Sequence, residues 1–293
     1  MIKDHLNKLI GLLILHRTHI LSVDVDDIII ACADYYQEDV PRDYVSKIDA
    51  QVRCTLDALR EYDCKATFFV QAQYCRDIDS VMKEIVSQGH VVASHGVRHR
   101  NVGRISIQQF REEIERSIEL LSNYQHEILG YRAPAFSMPY DDDHFGVLLD
   151  NGIKYVSNGA GIVRSNVPNV QTPIELDCGL MHVPVSTKHF LGGLIRYPIG
   201  YGVVARYVPE TLFILSLKYW LQKYSYFHYY FHPYELSGTP RNIGIPYRNI
   251  RALAQTQILS LRSNNRHGLF RKVFNACRFE PIESLVGYRA DCQ

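Results

Sequence analysis

The sequence has no hydrophobic run long enough to cross a bilayer. The N-terminal LIGLLIL, residues 9–15, follows Lys3 and Lys8 but falls well short of a span. HRTH follows it and no small-residue cleavage site is present, so it reads as an entry helix or strand rather than a signal peptide. The chain also lacks a CxxC pair, and its seven cysteines (Cys32, Cys54, Cys64, Cys75, Cys178, Cys277 and Cys292) are odd in number. Neither a disulfide framework nor a zinc-finger spacing is indicated, which favours reduced thiols and cytoplasmic residence, with membrane association left open. An excess of one charge sign is missing too. Lysine and arginine total 32 against 31 acids, a formal net charge of +1. That removes the electrostatic case for a nucleic acid or an anionic membrane as partner. With no internal repeat, low-complexity segment or linker, residues 1–293 read as a single domain.

What is present is ordinary for a folded soluble protein: 46% apolar and 22% charged residues. The 20 tyrosines stand out. Their rings serve either as core with a hydrogen-bonded hydroxyl or as surfaces that stack on sugars. Along the chain, short apolar runs alternate with segments of helical spacing. Strands are expected at 20–26, 65–70, 90–94, in EILGYR and IKYVSN, at 180–186 and in YFHYYF. Helices are expected at 43–62, 77–88, from a Ser106/Gln109 capping box to about 124, ahead of Asn151-Gly152, and at 209–223 and 249–263. HFLGGLIRYPIGYG (189–202) reads as a long loop, and CRFEPIESLV closes the chain. The alternation predicts an α/β fold with a parallel sheet or barrel, whose chemistry collects at the C-terminal ends of strands.

Four polar clusters sit at such ends. In LSVDVDD, strand alternation puts Asp24 and Asp26 on one face and Asp27 on the other. Two carboxylates there can divide a task, one holding a metal and one acting as base, or they can simply cap a turn. In SHGVRH, the i, i+4 spacing puts His95 and His99 on one side of a helical turn, within reach of one cation. A second such pair, His228 and His232, lies in an aromatic strand. At ~3.3 Å per residue its rings stand about 13 Å apart, too far to share an ion. In GYRAPAFS, Arg132 follows a strand, where its guanidinium can hold a carboxylate bidentately, and Pro134 stiffens a turn able to aim a backbone N–H at an oxygen. In YYFHPYEL, His232 ends a strand, a position that suits a general acid or a capping histidine. Asp141, Asp142 and Asp143 precede an apolar helix and read as cap and dipole partners.

In this order the motifs DVD, HxxxH, RAPxF and FHP resemble the polysaccharide deacetylases, the NodB-homology family also called carbohydrate esterase family 4. RAPAFS, FHPYE, GGLIRYPIGYG and RFEPI resemble its bacterial VDVED branch. The resemblance implies a distorted (β/α) barrel. It makes Asp24 the catalytic base and Asp26, His95 and His99 the ligands of a divalent metal, with Zn²⁺ favoured over Co²⁺, Ni²⁺ or Fe²⁺. Arg132 would orient Asp24, the Ala135 N–H between Pro134 and Phe136 would help hold the oxyanion, and His232 would be the general acid. The implied activity is removal of an N-acetyl group from an acetamido sugar of a bacterial surface polysaccharide, an O-antigen or exopolysaccharide, or from its precursor. The partner is then a glycan; the oligomeric state stays open. Two departures stand out. Phe231 replaces a leucine expected in the wall of the acetyl pocket. Val156 and Ser157 stand where a carboxylate partner of His232 is expected, leaving Asp150 as a substitute. Without such a partner His232 should protonate less readily. That motivates a second reading, a weak or inactive carbohydrate-binding protein. A third is amide hydrolysis on a substrate other than a sugar.

Overall fold

Strand β1 (Thr18–Val25) lies between β10 (Tyr226–Phe231) and β2 (Thr67–Val70), parallel to both. The computed structural model describes residues 18–37, 46–158, 170–190, 195–237, 249–260 and 267–287. LIGLLIL and Cys292 lie outside them. The sheet continues through β3 (Val91–Ser94), β4 (Gly130–Tyr131) and β5 (Tyr155–Val156) to β7 (Met181–His182), all parallel, and ends on the antiparallel β6 (Ile174–Glu175). This eight-stranded order, 10-1-2-3-4-5-7-6, with its crossover helices gives the expected α/β barrel-like architecture.

Alternation along the strands separates two cores. Leu21, Val23, Phe68, Val92, Phe227 and Phe231 face outward. They meet helices α2 (Ser46–Glu61), α3 (Asp79–Ser87), α4 (Ile107–Leu121), α5 (Asp142–Asp150) and α7 (Glu210–Lys223). The opposite parity, Ile20, Phe69, Ala93, Tyr155 and Tyr226, fills the interior. Glu283, from a short 3₁₀ turn (Ile282–Leu285), forms the barrel floor. It accepts hydrogen bonds from Thr67 Oγ1 at 2.6 Å and from the Tyr155 hydroxyl.

The described residues of the expected loop at 189–202 include regular elements. Lys188–Phe190 (β8) and Ile195–Tyr197 (β9) form an antiparallel pair, and Gly202–Tyr207 is helix α6. Pro198 and Gly200 lie in the turn between β9 and α6, so the described part of this stretch is built of short elements. This segment also closes the barrel: Ser186 N–H donates to His228 O at 3.2 Å, and Tyr230 N–H donates to Gly200 O at 2.8 Å. A Cβ on Gly200 would fall 2.1 Å from His228 O, so only glycine allows that approach. Three further helices escape the sequence reading: α1 (Ile28–Tyr36), α8 (Pro233–Ser237) and α10 (His267–Phe274). Helix α9 (Ile250–Ser260) lies within its expected range.

Candidate active site

The end of β1 carries the acids. Asp24 and Asp26 are both buried. Asp27 accepts from the N–H groups of Ile29 (2.8 Å) and Ile30 (3.2 Å), capping α1. Asp141 likewise caps α5 through the His144 N–H at 3.0 Å.

Arg132, at the end of β4, is fully buried. One arm ion-pairs with Asp24 Oδ1; the other donates at 2.8 Å to both Ser22 Oγ and Ser157 Oγ. The expected bidentate grip is therefore shared between one carboxylate oxygen and two hydroxyls. Its guanidinium also lies 4.1 Å from the centroid of the Phe69 ring.

His95 and His99 follow β3 on a bend rather than the expected helical turn. Gly96 makes the bend at φ +78°, and the ring centroids end 5.6 Å apart. His95 Nδ1 faces the Arg132 carbonyl at 2.7 Å. A carbonyl only accepts, so Nδ1 carries the proton and Nε2 keeps its lone pair. His99 Nε2 lies 3.6 Å from Asp26 Oδ2. Ligand atoms of Asp26, His95 and His99 all fall within 4.8 Å of one another. Burial holds His95 down at about 4 and His99 well below its usual range, so both rings are neutral, as metal ligation needs. Burial also lifts Asp26 to about 7; attraction to His232 opposes this, and the Asp24 and Asp27 charges add to it. Asp26 Oδ1 is buried without a hydrogen-bond partner among the described residues. Two neutral imidazoles and a carboxylate with an unsatisfied oxygen fit a divalent cation.

Across the cavity, His232 follows β10. Its Nδ1 is 2.7 Å from Glu235 Oε1, which also accepts the His232 N–H at 3.1 Å. Glu235 is fully buried, with Arg206 Nε 3.5 Å from its other oxygen. This is the acidic partner sought elsewhere in the sequence. Asp150 does not supply it: that residue is exposed and paired with Arg111 at 2.9 Å. Ser157 belongs to Arg132, and Val156 faces the outer core. Pro233 starts a short helix, and the three-residue step from His232 to Glu235 folds the carboxylate back onto the ring. The signal lay in FHPYE, where Pro at a helix start and an acid two residues on describe that turn. Burial pulls the His232 pKa down, but Asp26 and Glu235 outweigh it and hold it at about 9.

The turn after Arg132 is strained. Ala135 and Phe136 have φ of +50° and +53°, a region non-glycine residues avoid at a cost of roughly 1–3 kcal/mol each. Pro134 is buried beneath them, and the Phe136 ring packs against Tyr201 and Tyr230 at 5.5 and 5.4 Å. Asp24, Asp26, His95, His99, His232, Ala135 and Phe136 all line one cavity of about 300 Å³. Tyr35, Tyr201, Tyr230 and Tyr234 complete its wall. Phe231 does not reach it. Strand parity turns that ring into the outer core, 4.8 Å from Phe270, so the wall expected of Phe231 is built by its neighbours of opposite parity.

Residues 41–156 match the polysaccharide deacetylase family model. Over that stretch the chain is similar to the polysaccharide deacetylases. The matched stretch holds His95, His99, Arg132 and Ala135, while the fold brings Asp24, Asp26 and His232 to the same cavity from outside it. The chain is 29% identical over 102 residues to a Bacillus cereus peptidoglycan-N-acetylglucosamine deacetylase, covering 35% of this chain and 34% of that protein. It is 27% identical over 138 residues to a Helicobacter pylori peptidoglycan deacetylase, 46% of each. Both matches thus span less than half the length of the curated relative. In fold it is similar to a candidate polysaccharide deacetylase from Mycobacterium smegmatis, with a TM-score of 0.54 at 18% identity over 91% of this chain and 93% of that one. It is similar also to a CE4 family pseudoenzyme from Bacillus anthracis, with a TM-score of 0.50 at 11% identity over 92% and 66%.

Proposed function

We propose that this chain is a metal-dependent hydrolase, on a single domain, that removes the N-acetyl group from an acetamido sugar of a bacterial surface polysaccharide or its precursor. The observation that carries the reading is one cavity where a His₂Asp ligand set, an Arg-paired aspartate and a Glu-backed histidine converge. Asp26, His95 and His99 would hold a divalent cation, Zn²⁺ being the favoured one; bound there, it would supply Lewis acidity toward the acetyl carbonyl and the attacking water. Asp24, oriented by Arg132, takes the proton of the attacking water. The turn at Ala135 offers its backbone N–H to the oxygen that gains charge. His232, cationic beside Glu235, gives its proton to the departing amine, without which an amine leaves poorly. Acetate and a free amino sugar result. A missing partner of His232 is the ground for a non-catalytic reading, and the contact of His232 with Glu235 supports the catalytic one instead.

The test is acetate release from a panel of N-acetylated glycans and sugar precursors by metal-loaded protein. Release that disappears with a chelator and in Asp24→Asn is expected. No release from any member of the panel would sink the proposal.

A further inference from the structure

A second cavity of about 440 Å³ adjoins the first, with Tyr35 as shared wall. Arg98, Arg100 and Arg104 line it, with Asn101 and Asp34. They belong to RHRNVGR, the segment that starts beside the ligand His99. Among the described residues the nearby acids are already engaged. Asp34 accepts from the His99 N–H (3.1 Å) and from Gln73 Nε2 (3.0 Å). Glu113 accepts from the N–H groups of Val97 and Arg98, at 3.0 and 3.2 Å, and reaches only Arg100, at 3.4 Å. Arg98 and Arg104 have no ion-pair partner among the described residues. The Arg104 guanidinium lies 5.8 Å from the Tyr35 ring centroid, and Asn101 Nδ2 donates to the Tyr35 hydroxyl at 2.8 Å. Tyr35 is thus held between the rooms, with the basic groups on its far side.

We propose that this second cavity binds the phosphate or diphosphate of a phosphate-linked acetamido sugar whose N-acetyl group enters the first cavity. The inference rests on the deacetylase reading and narrows its substrate class. Guanidinium groups favour planar or tetrahedral oxyanions, which they grip with paired N–H groups. A single carboxylate is satisfied by one such fork. Two guanidiniums without an ion-pair partner among the described residues, and a third only loosely paired, match the charge of a diphosphate. The chain's net charge of +1 supplies no general attraction, so the preference is local to this loop.

Two measurements on metal-loaded protein test it. The first compares kcat/KM for a nucleoside-diphosphate N-acetylhexosamine, an N-acetylhexosamine diphosphate on a short isoprenoid alcohol, a neutral N-acetylhexosamine tetramer and a uronate-bearing analogue. The second is calorimetric titration with inorganic pyrophosphate. At least one phosphate-linked substrate should exceed the neutral tetramer tenfold or more, and whichever is faster identifies a nucleotide or a lipid as the source. In Arg98→Ala and in Arg104→Ala that ratio should fall tenfold or more, and pyrophosphate should bind at least tenfold more weakly. Arg104 is exposed and, unlike Arg98, not adjacent in sequence to His99, so its variant guards against misfolding in the other. Equal use of neutral and phosphate-linked substrates, with a ratio the variants do not change, overturns the inference and leaves the deacetylase reading standing. Preference for the uronate overturns the phosphate assignment. Pyrophosphate binding that depends on both arginines, without turnover of any substrate, upholds the anion site while the deacetylase reading fails.

Discussion

Replacing Asp26 by asparagine should make the metal-free protein more stable at alkaline pH, although it removes a proposed ligand. Burial and the charges of Asp24 and Asp27 raise the Asp26 carboxyl from 3.8 to about 7. A displacement of that size corresponds to roughly 4 kcal/mol against the ionised form. Part is returned by His232, which Asp26 helps to hold at about 9, so the net gain for Asp26→Asn at pH 8 should be about 1–3 kcal/mol. The sign is set by the raised folded-state value. Below about pH 4 the carboxyl is protonated in both folded and unfolded chains, and no penalty exists. Stability is lost as pH rises from there through 7, where the folded-state group finally ionises. Urea unfolding of chelator-treated proteins at pH 4 and pH 8 reads this directly. The gain should appear at pH 8 and vanish at pH 4. Adding Zn²⁺ at a hundred times its dissociation constant should then stabilise the parent by about 2.7 kcal/mol and the variant hardly at all. If Asp26→Asn destabilises the metal-free protein equally at both pH values, Asp26 is not a buried charge awaiting a cation.

Glu235→Gln removes one of the charges holding His232 up. A general acid works only while protonated, so its alkaline limb in the kcat/KM profile should move down by about one pH unit or more; an unmoved limb refutes the dyad. Arg132→Met leaves Asp24 buried without its ion pair, and thermal denaturation should show a loss of about 3–5 kcal/mol. Phe231→Leu should cost about 1 kcal/mol of stability and leave kcat/KM within about twofold. An altered preference among acyl groups would put that ring in the cavity after all.

Much of this architecture was legible in the sequence. YFHYYF coincides with β10, and the Ser106/Gln109 capping box is present in full. Period-two alternation grouped Asp24 with Asp26 and set Asp27 apart, although β1 ends at Val25: the chain turns there, leaving Asp26 in the cavity with Asp24 while Asp27 caps α1. The histidine pair was recognised by spacing but given the wrong backbone, since i, i+4 proximity arises equally from a glycine bend. Phe231 was misplaced because likeness to a motif carries no parity, whereas the strand does. Glu235 is hidden in the sequence because the resemblance places the carboxylate partner at 156–157, whereas here it lies one turn after His232. The helix α1 was hidden by its own composition, IIIACADYY, an apolar run without a clear polar face. The second basic cavity was not legible, because RHRNVGR gains meaning only when Tyr35 arrives from α1.

The position of β1 has a consequence for the order of assembly. One of its neighbours comes from residues 67–70, but the other comes from 226–231, and Glu280 bridges to Ile20. Pairing across some two hundred residues is slow to form. A nascent or truncated chain can build the sheet from β2 to β5 while the strand bearing Asp24 and Asp26 still lacks one side. The ligand set would then be completed among the last events of folding, and metal uptake would report that the whole barrel has closed.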